Sequence, residues 1–277
     1  SAFAAHLASI GVTKGDRVAI AMRNLPEYPM AFWAAASMGA VVVPLNAWWT
    51  GPELAYGLSD SGARVLIADD ERIARLQPHM SETKVEHIFT TVEGFPAAPL
   101  PDVEIDPDDD ATIMYTSGTT GKPKGAVGTH RNFCGHVMNA IYNAQASVAP
   151  AVDATPPTDT VAPPQASTVL TFPLFHVGGL QSTLAPLTVA GGKIVLLFKW
   201  DTQRVLDIIE QEEITLMAGV PTTMFELHDE AKRQGRDLGT VASIAAGTTL
   251  VPLALVKPSV DQPASLAPPG HGAGWTA

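Results

Sequence analysis

The sequence predicts an α/β protein, with parallel-rich sheets covered by helices. Two observations carry that expectation. Apolar strand-like runs alternate with helical patterns at short, regular spacing, as parallel strands joined by helical crossovers require. The chain also has 277 residues, 46% hydrophobic and 16% charged, enough to bury a substantial core.

The elements follow in order. A helical pattern over Phe3–Ile10 stops at Gly11, and Asp16–Ala21 is a short strand. A helix near Pro26–Met38 precedes the β-branched strand Ala40–Val43. The next helix opens after Gly51-Pro52, where proline suits a first turn, and closes near Gly62. Arg64–Ala68 is a strand, Asp70 to Pro78 a helix, and His87–Thr90 a strand. Pro101–Asp110 is an acidic linker, expected to be solvated because like-charge runs are usually exposed. Strand Ala111–Tyr115 enters a glycine-rich loop, Gly125–Thr129 leaves it, and a helix runs from Asn132 to Gln145. Pro- and Ala-rich Ser147–Ser167 is expected to be a surface loop. Alternation resumes with strand Thr168–Phe172, helix Gly179–Val189, strand Lys193–Phe198, helix Thr202–Glu212, strand Thr215–Val220 and helix Pro221–Arg233.

After Gly247 the pattern stops. Thr248–Ala277 holds two charges, Lys257 and Asp261, and five prolines, with no sustained period. The expected division is a partial domain over 1–247, made of a first α/β part (1–100), the linker 101–110 and a second part (111–247). An irregular tail, non-native or disordered, occupies 248–277.

Composition excludes several classes. A net charge of −11, from 28 acidic against 17 basic residues, argues against a general nucleic-acid binder, which needs a basic face. The single cysteine, Cys134, rules out an internal disulfide framework and a cysteine-based zinc site, and fits a reducing cytosol. No signal-peptide pattern opens the chain. Between Glu27 and Glu53 no residue is charged, but Gly39, Pro44 and Asn46 break the run, so it reads as a buried helix and strand rather than a membrane span. His130, Cys134 and His136 do not share a helix face well, and no metal site is expected there. No Gly-x-Ser-x-Gly elbow supports a serine hydrolase.

The strongest chemical signal is Tyr115-Thr-Ser-Gly-Thr-Thr-Gly-Lys-Pro-Lys-Gly125. Glycines let backbone amides turn inward, the hydroxyls of Thr116, Ser117, Thr119 and Thr120 donate to anionic oxygens, and lysine supplies a compact positive charge. These are the needs of a polyphosphate cradle. It is not a Walker A loop, because only two residues separate Gly118 from Gly121 and Pro123 follows Lys122. Proline pushes the residue before it out of the α region, so the loop should exit extended, between two strands and without a helix dipole.

Tyr115–Gly125 resembles the AMP-binding signature of adenylate-forming enzymes: acyl- and aryl-CoA synthetases, firefly luciferase and nonribosomal peptide adenylation domains. The resemblance starts at the N-terminus with Gly15–Ile20 and Asn24 and runs through Asp109–Ile113 to about Gly247. It implies that Thr116, Ser117, Gly118, Thr119, Thr120 and Gly121 wrap the phosphates of ATP. Lys124 would neutralise the β- and γ-phosphates, and Thr119 or Thr120 would help hold Mg²⁺. Lys122 sits where the family varies and receives no role.

Phe172-Pro-Leu-Phe-His-Val-Gly-Gly179 is the second match. A histidine between Phe and Val is by itself more often a packed core residue than a ligand. Beside the loop, it resembles the family motif whose aromatic or histidine lines the acyl pocket and shifts between half-reactions. His176 takes that position, and Gly178 and Gly179 would let backbone approach the substrate. The form Pro-Leu-Phe-His is typical of acyl- and aryl-CoA ligases rather than amino-acid adenylation domains. Val220-Pro-Thr-Thr-Met224 resembles the next turn beside the pocket, although a helix opened by proline accounts for it equally. Gly247 would contact substrate, and Thr129-His-Arg-Asn132 reads as a helix cap.

The implied activity is an ATP-dependent acid–CoA ligase: acyl-adenylate formation, then thioesterification. ATP, Mg²⁺ and coenzyme A are implied, with a fatty acid as the expected carboxylic acid and an aryl acid next. The family's Tyr-Gly-x-Thr-Glu motif, ribose-binding Asp, hinge and C-terminal lysine are absent. The chain is therefore expected to be a truncated, inactive form, its last thirty residues from a shifted reading frame or degenerate sequence. The competing expectation is a non-catalytic remnant that binds nucleotide weakly. A kinase of another fold would release ADP rather than AMP. The expected location is cytoplasmic, with peripheral membrane contact left open for a lipid-handling enzyme, though no amphipathic basic helix argues for it.

Overall fold

A computed structural model describes residues 1–116, 121–148, 164–246 and 249–251. In chain order, helix α1 (Ala2–Ser9) precedes strand β1 (Arg17–Ala21), and α2 (Glu27–Ala36) precedes β2 (Val41–Pro44). Then come α3 (Gly51–Ser61), β3 (Val65–Ala68), α4 (Asp70–Leu76), a 3₁₀ turn (Gln77–Glu82) and β4 (His87–Phe89). β5 (Asp110–Tyr115) and β6 (Gly125–Thr129) complete a six-stranded sheet of order β4-β3-β1-β2-β5-β6. Its pairs are parallel except β5 with β6, which form an antiparallel hairpin.

Helix α5 (His130–Val148) leads to the second sheet. There β7 (Ser167–Leu170) is followed by α6 (Val177–Gly179), a π turn (Leu180–Leu184), α7 (Ala185–Val189) and β8 (Lys193–Leu196). α8 (Thr202–Gln211), β9 (Leu216–Gly219), α9 (Pro221–Gln234), β10 (Ser243–Ala246) and β11 (Thr249–Val251) complete it. The order is β11-β10-β9-β7-β8, parallel except for the β10–β11 pair.

Three apolar clusters stack the layers. Leu45, Leu54, Leu58, Leu66 and Leu76 pack α3 and α4 on one face of the first sheet. The other face shares a core with the second sheet: Val18, Ile20, Tyr28, Phe32 and Val42 are joined by Leu170, Leu174, Leu180 and Leu184. Val205, Ile209, Met217 and Leu227 pack α8 and α9 on the far face of the second sheet. Strands covered on both faces read as continuous apolar runs, which is why Val41-Val-Val43 and Val65-Leu-Ile-Ala68 show no alternation.

Several expected boundaries shift. The long helix begins at His130, two residues before Asn132, because Thr129 and Asn132 cap it reciprocally: the Thr129 N–H donates to Asn132 Oδ1 (3.1 Å) and the Asn132 N–H to Thr129 Oγ1 (3.2 Å). The helix expected from Gly179 begins at Val177 and contains the π turn. The acidic linker is largely exposed, yet Lys14 pairs with Asp109 (2.6 Å) and Arg131 with Asp108 (2.7 Å), so it is tied at two points. Thr249–Val251 lies beyond the expected boundary at Gly247 and pairs with β10. Residues 252–277, like most of Ser147–Ser167, lie outside the described residues.

Candidate active site

The carboxyl ends of β1, β5, β7 and β9 carry the loops of interest, where parallel α/β sheets place ligands. The glycine-rich loop is the turn of the β5–β6 hairpin. Tyr115 pairs with Gly125, and the Thr116 N–H donates to the Lys124 carbonyl (3.0 Å), closing the neck. The exit after Pro123 is extended, as the proline demands. Gly121 has a φ of 148° and is exposed, and Lys124 is exposed with no ion pair among the described residues. Ser117, Gly118, Thr119 and Thr120 lie outside the described residues, as does Gly247.

The two stems of this loop rest on α3. A capping box between Thr50 and Glu53, with Pro52 in the first turn, fixes where that helix starts. Residues four apart share a helix face, which aligns Tyr56 with Asp60. Tyr115 donates its hydroxyl to Asp60 (2.8 Å) and lies 3.2 Å from the Gly57 carbonyl. Burial and the Asp60 carboxylate push the Tyr115 phenol well above its ordinary range. Gly57 serves the packing of α3, since a Cβ there would lie 2.8 Å from Trp49 and 2.9 Å from Leu45. Tyr56 donates to the Pro123 carbonyl (3.0 Å), and its ring lies under Lys122 Nζ (4.8 Å to the centroid).

His176 is the N-cap of α6. Its Nδ1 accepts the Gly178 N–H (3.0 Å), so a neutral ring carries its proton on exposed Nε2. The absence of a side chain at Gly179 serves the turn itself, because a Cβ there would meet the Pro173 carbonyl at 2.2 Å. Gly178 packs against Phe172 and the His176 ring.

Asn24, at the end of β1, fastens this turn to the first sheet. Its amide donates to the Phe172 carbonyl (3.0 Å) and its oxygen accepts the Leu174 N–H (2.9 Å). Arg23 donates to the Phe198 carbonyl (2.7 Å) and lies against the Trp48 and Phe198 rings, while Trp48 meets Phe175 edge-on. Gln181 of the π turn approaches Met114 Sδ (3.5 Å), one residue before Tyr115. The His176 segment and the strand entering the loop are therefore neighbours. Sequence reasoning missed Arg23, Tyr56 and Asp60; the aromatic at position 56 four residues from an acid was the available signal. His136 bonds Ser182 (3.1 Å), and among the described residues no group of three or more His, Cys, Asp or Glu is placed to hold a metal ion.

The sequence matches the AMP-binding enzyme family over residues 1–261. The chain belongs to that family. Similar proteins include a feruloyl-CoA synthase of Amycolatopsis sp., 33% identical over 263 residues, covering 92% of this chain and 49% of the relative. The long-chain-fatty-acid–CoA ligase FadD13 of Mycobacterium tuberculosis is 31% identical, with 91% and 48% covered. Among solved structures, the inhibitor-bound N-terminal domain of FACL13 from Mycobacterium tuberculosis superimposes with a TM-score of 0.71 at 28% identity, covering 92% of this chain and 62% of that one. The o-succinylbenzoate–CoA synthetase of Bacillus subtilis in complex with AMP gives 0.70 at 29%, covering 89% and 58%. The chain spans about half the length of the curated relatives it matches. No helix among its described residues is long and apolar enough to cross a membrane.

Proposed function

We propose that the protein is an ATP-dependent acid–CoA ligase, whose phosphate loop and acyl-side turn are contained in this chain. The observation that carries the proposal is Lys124: a free, exposed cation at the neck of a glycine-rich hairpin whose strand adjoins the His176 segment. A carboxylate attacks the α-phosphate of ATP, giving acyl-adenylate and pyrophosphate; the thiol of coenzyme A then displaces AMP and loses its proton. Lys124 neutralises charge on the departing pyrophosphate, and Thr116, Gly121 and the hydroxyl and glycine residues 117–120 supply donors. His176 lines the acyl side and, through Nε2, donates to substrate oxygen, with Gly178 next in the turn that Gly179 closes; contact of Gly247 with substrate is part of the same proposal. Exposed Lys124 and the Thr116 backbone at the hairpin neck support a polyphosphate ligand. Magnesium, which would offset phosphate charge, is assigned to Thr119 or Thr120 alone.

The acid is a fatty acid on the apolar setting of His176 and an aryl acid by likeness to the feruloyl-CoA synthase. Residues 1–247 form most of the partial domain, and Thr249–Val251 extend its second sheet as β11. Because the chain spans half of its relatives, the 277-residue polypeptide by itself is expected to bind ATP weakly and turn it over little.

The test is calorimetric titration with MgATP, alongside acid-dependent pyrophosphate exchange with long-chain and hydroxycinnamic acids in the longest open frame containing this chain. Lys124→Ala should weaken ATP at least tenfold, the scale of a charged hydrogen bond. Release of ADP, or ATP binding indifferent to Lys124, would overturn the assignment.

A further inference from the structure

We propose that Tyr56 is a positioning residue for the phosphate loop: its hydroxyl and ring hold the outgoing stem, Lys122-Pro123, against α3 so that Lys124 faces the nucleotide. The clause about nucleotide rests on the function proposed above; the bracing of the stem does not.

The argument starts from what Pro123 needs. The hairpin ladder pairs Tyr115 with Gly125, and the last neck bond runs from the Thr116 N–H to the Lys124 carbonyl. The Pro123 carbonyl lies outside that ladder, and a main-chain oxygen without a protein partner is left to water. Tyr56 supplies the partner at 3.0 Å. The same ring seats Lys122 Nζ, an attraction of cation to π face that holds the side chain on the α3 side. One loop lysine is thus engaged on the helix and the other left free two residues on.

The bracing is two-handed. Tyr115, on the ingoing stem, is bound to Asp60 and Gly57, while Tyr56, one turn earlier on the same helix, holds the outgoing stem. The two rings lie 6.5 Å apart at 70°. α3 is a rigid mount, with Leu54, Ala55 and Leu58 buried and a left-handed Gly62 ending it. A groove of about 460 Å³ runs beside the stem, lined by Glu53, Tyr56, Ser59, Glu82, Lys122 and Pro123, so the Tyr56 contacts hold the stem along an open flank.

Trypsin reads the bracing directly. It cuts after lysine unless proline follows, so in this loop it cuts Lys124–Gly125 and spares Lys122–Pro123. In the 277-residue chain, Tyr56→Phe removes the hydroxyl but keeps the ring, and should be nicked after Lys124 about fivefold faster, the factor for one hydrogen bond. Lys122→Met, an exposed change that leaves folding alone, should speed the same cut about twofold. Cutting after Arg233, on distant α9, should be unchanged in both. Wild-type rates after Lys124 in both variants would overturn the proposal, and so would equal acceleration at Arg233, which reports general unfolding. MgATP separates the two ideas: it should slow the Lys124 cut in the wild type, with an apparent affinity about fivefold weaker in Tyr56→Phe. If MgATP slows no cut while the nicking rates differ as stated, the ligase reading falls and the bracing stands.

Discussion

The two sheets share a four-strand parallel order, β4-β3-β1-β2 and β10-β9-β7-β8, but these strands are not enclosed alike. Val18–Ala21, β2 and β3 are buried along their whole length, whereas β8 is half-buried throughout and β9 only alternately buried. Position explains part of this: β1–β3 lie inside their sheet, and β8 is an edge. The helices differ too, since Phe32 of α2 is 2% exposed while Phe225 of α9 is 70% exposed. Each sheet has one helical layer of its own, α3 and α4 on the first and α8 and α9 on the second. The two share the core between them, and Asn24 and Arg23 fasten the turns of the second sheet to the first. The candidate site straddles that seam, with Lys124 beside β6, the exposed edge of the first sheet, and His176 on the second-sheet side.

Cutting a ring from each side breaks the comparison most sharply. Phe32, stacked near Phe133 and against Trp33, should cost about 3–5 kcal/mol on change to alanine, and Phe225→Ala within about 0.5 kcal/mol, by urea unfolding. Equal losses would refute the difference in enclosure. Asn24→Ala should cost about 2 kcal/mol by leaving the Phe172 carbonyl and Leu174 N–H unpaired. Its loss should appear first in hydrogen exchange of the second sheet; uniform loss in both sheets would mean they unfold as one.

These fastenings mark where the sequence stopped being legible. The order of strands and helices follows from apolar period, proline and glycine, all local signals, and the extended loop exit follows from Pro123 alone. Asn24 was visible only as part of a family resemblance, because its partners lie near Phe172, far along the chain. Arg23 carries no local pattern that marks it, and the four-residue spacing of Tyr56 and Asp60 aligns them on one helix face without showing that Pro123 and Tyr115 lie against it. The capping role of His176 was hidden for another reason: a histidine beside Phe and Val reads as core until the turn shows its Nδ1 bound to Gly178.

A change within the well-enclosed side should go the other way. The Tyr28 hydroxyl is buried with no hydrogen-bond partner among the described residues, and burial raises its pKa far above the ordinary phenol. Tyr28→Phe should therefore be neutral or stabilising by up to about 1 kcal/mol in thermal melts; a clear loss would show that the hydroxyl has a partner after all. The smallest effect is acidic. Burial disfavours the charge of Asp16, but the Thr13 N–H and hydroxyl, with Arg64, outweigh it and hold the carboxyl below its usual value. A depressed carboxyl contributes stability above its unfolded value of about 4 that is lost as pH falls through the folded one. The melting temperature of Asp16→Asn should accordingly fall less steeply than the wild type's between about pH 4 and 3; parallel curves would remove Asp16 from the acid sensitivity.

The hairpin setting of the phosphate loop has one more consequence. A strand-to-helix cradle presents the fixed partial charge of a helix end at close range, inside the fold. Here the full positive charge rides on the exposed side chain of Lys124, reached through solvent. Mobile ions screen such a charge over about 8 Å at physiological strength. On the proposed function, the grip on ATP is therefore a property of the surrounding electrolyte as much as of the fold, loosening as salt rises while the protein itself stays intact.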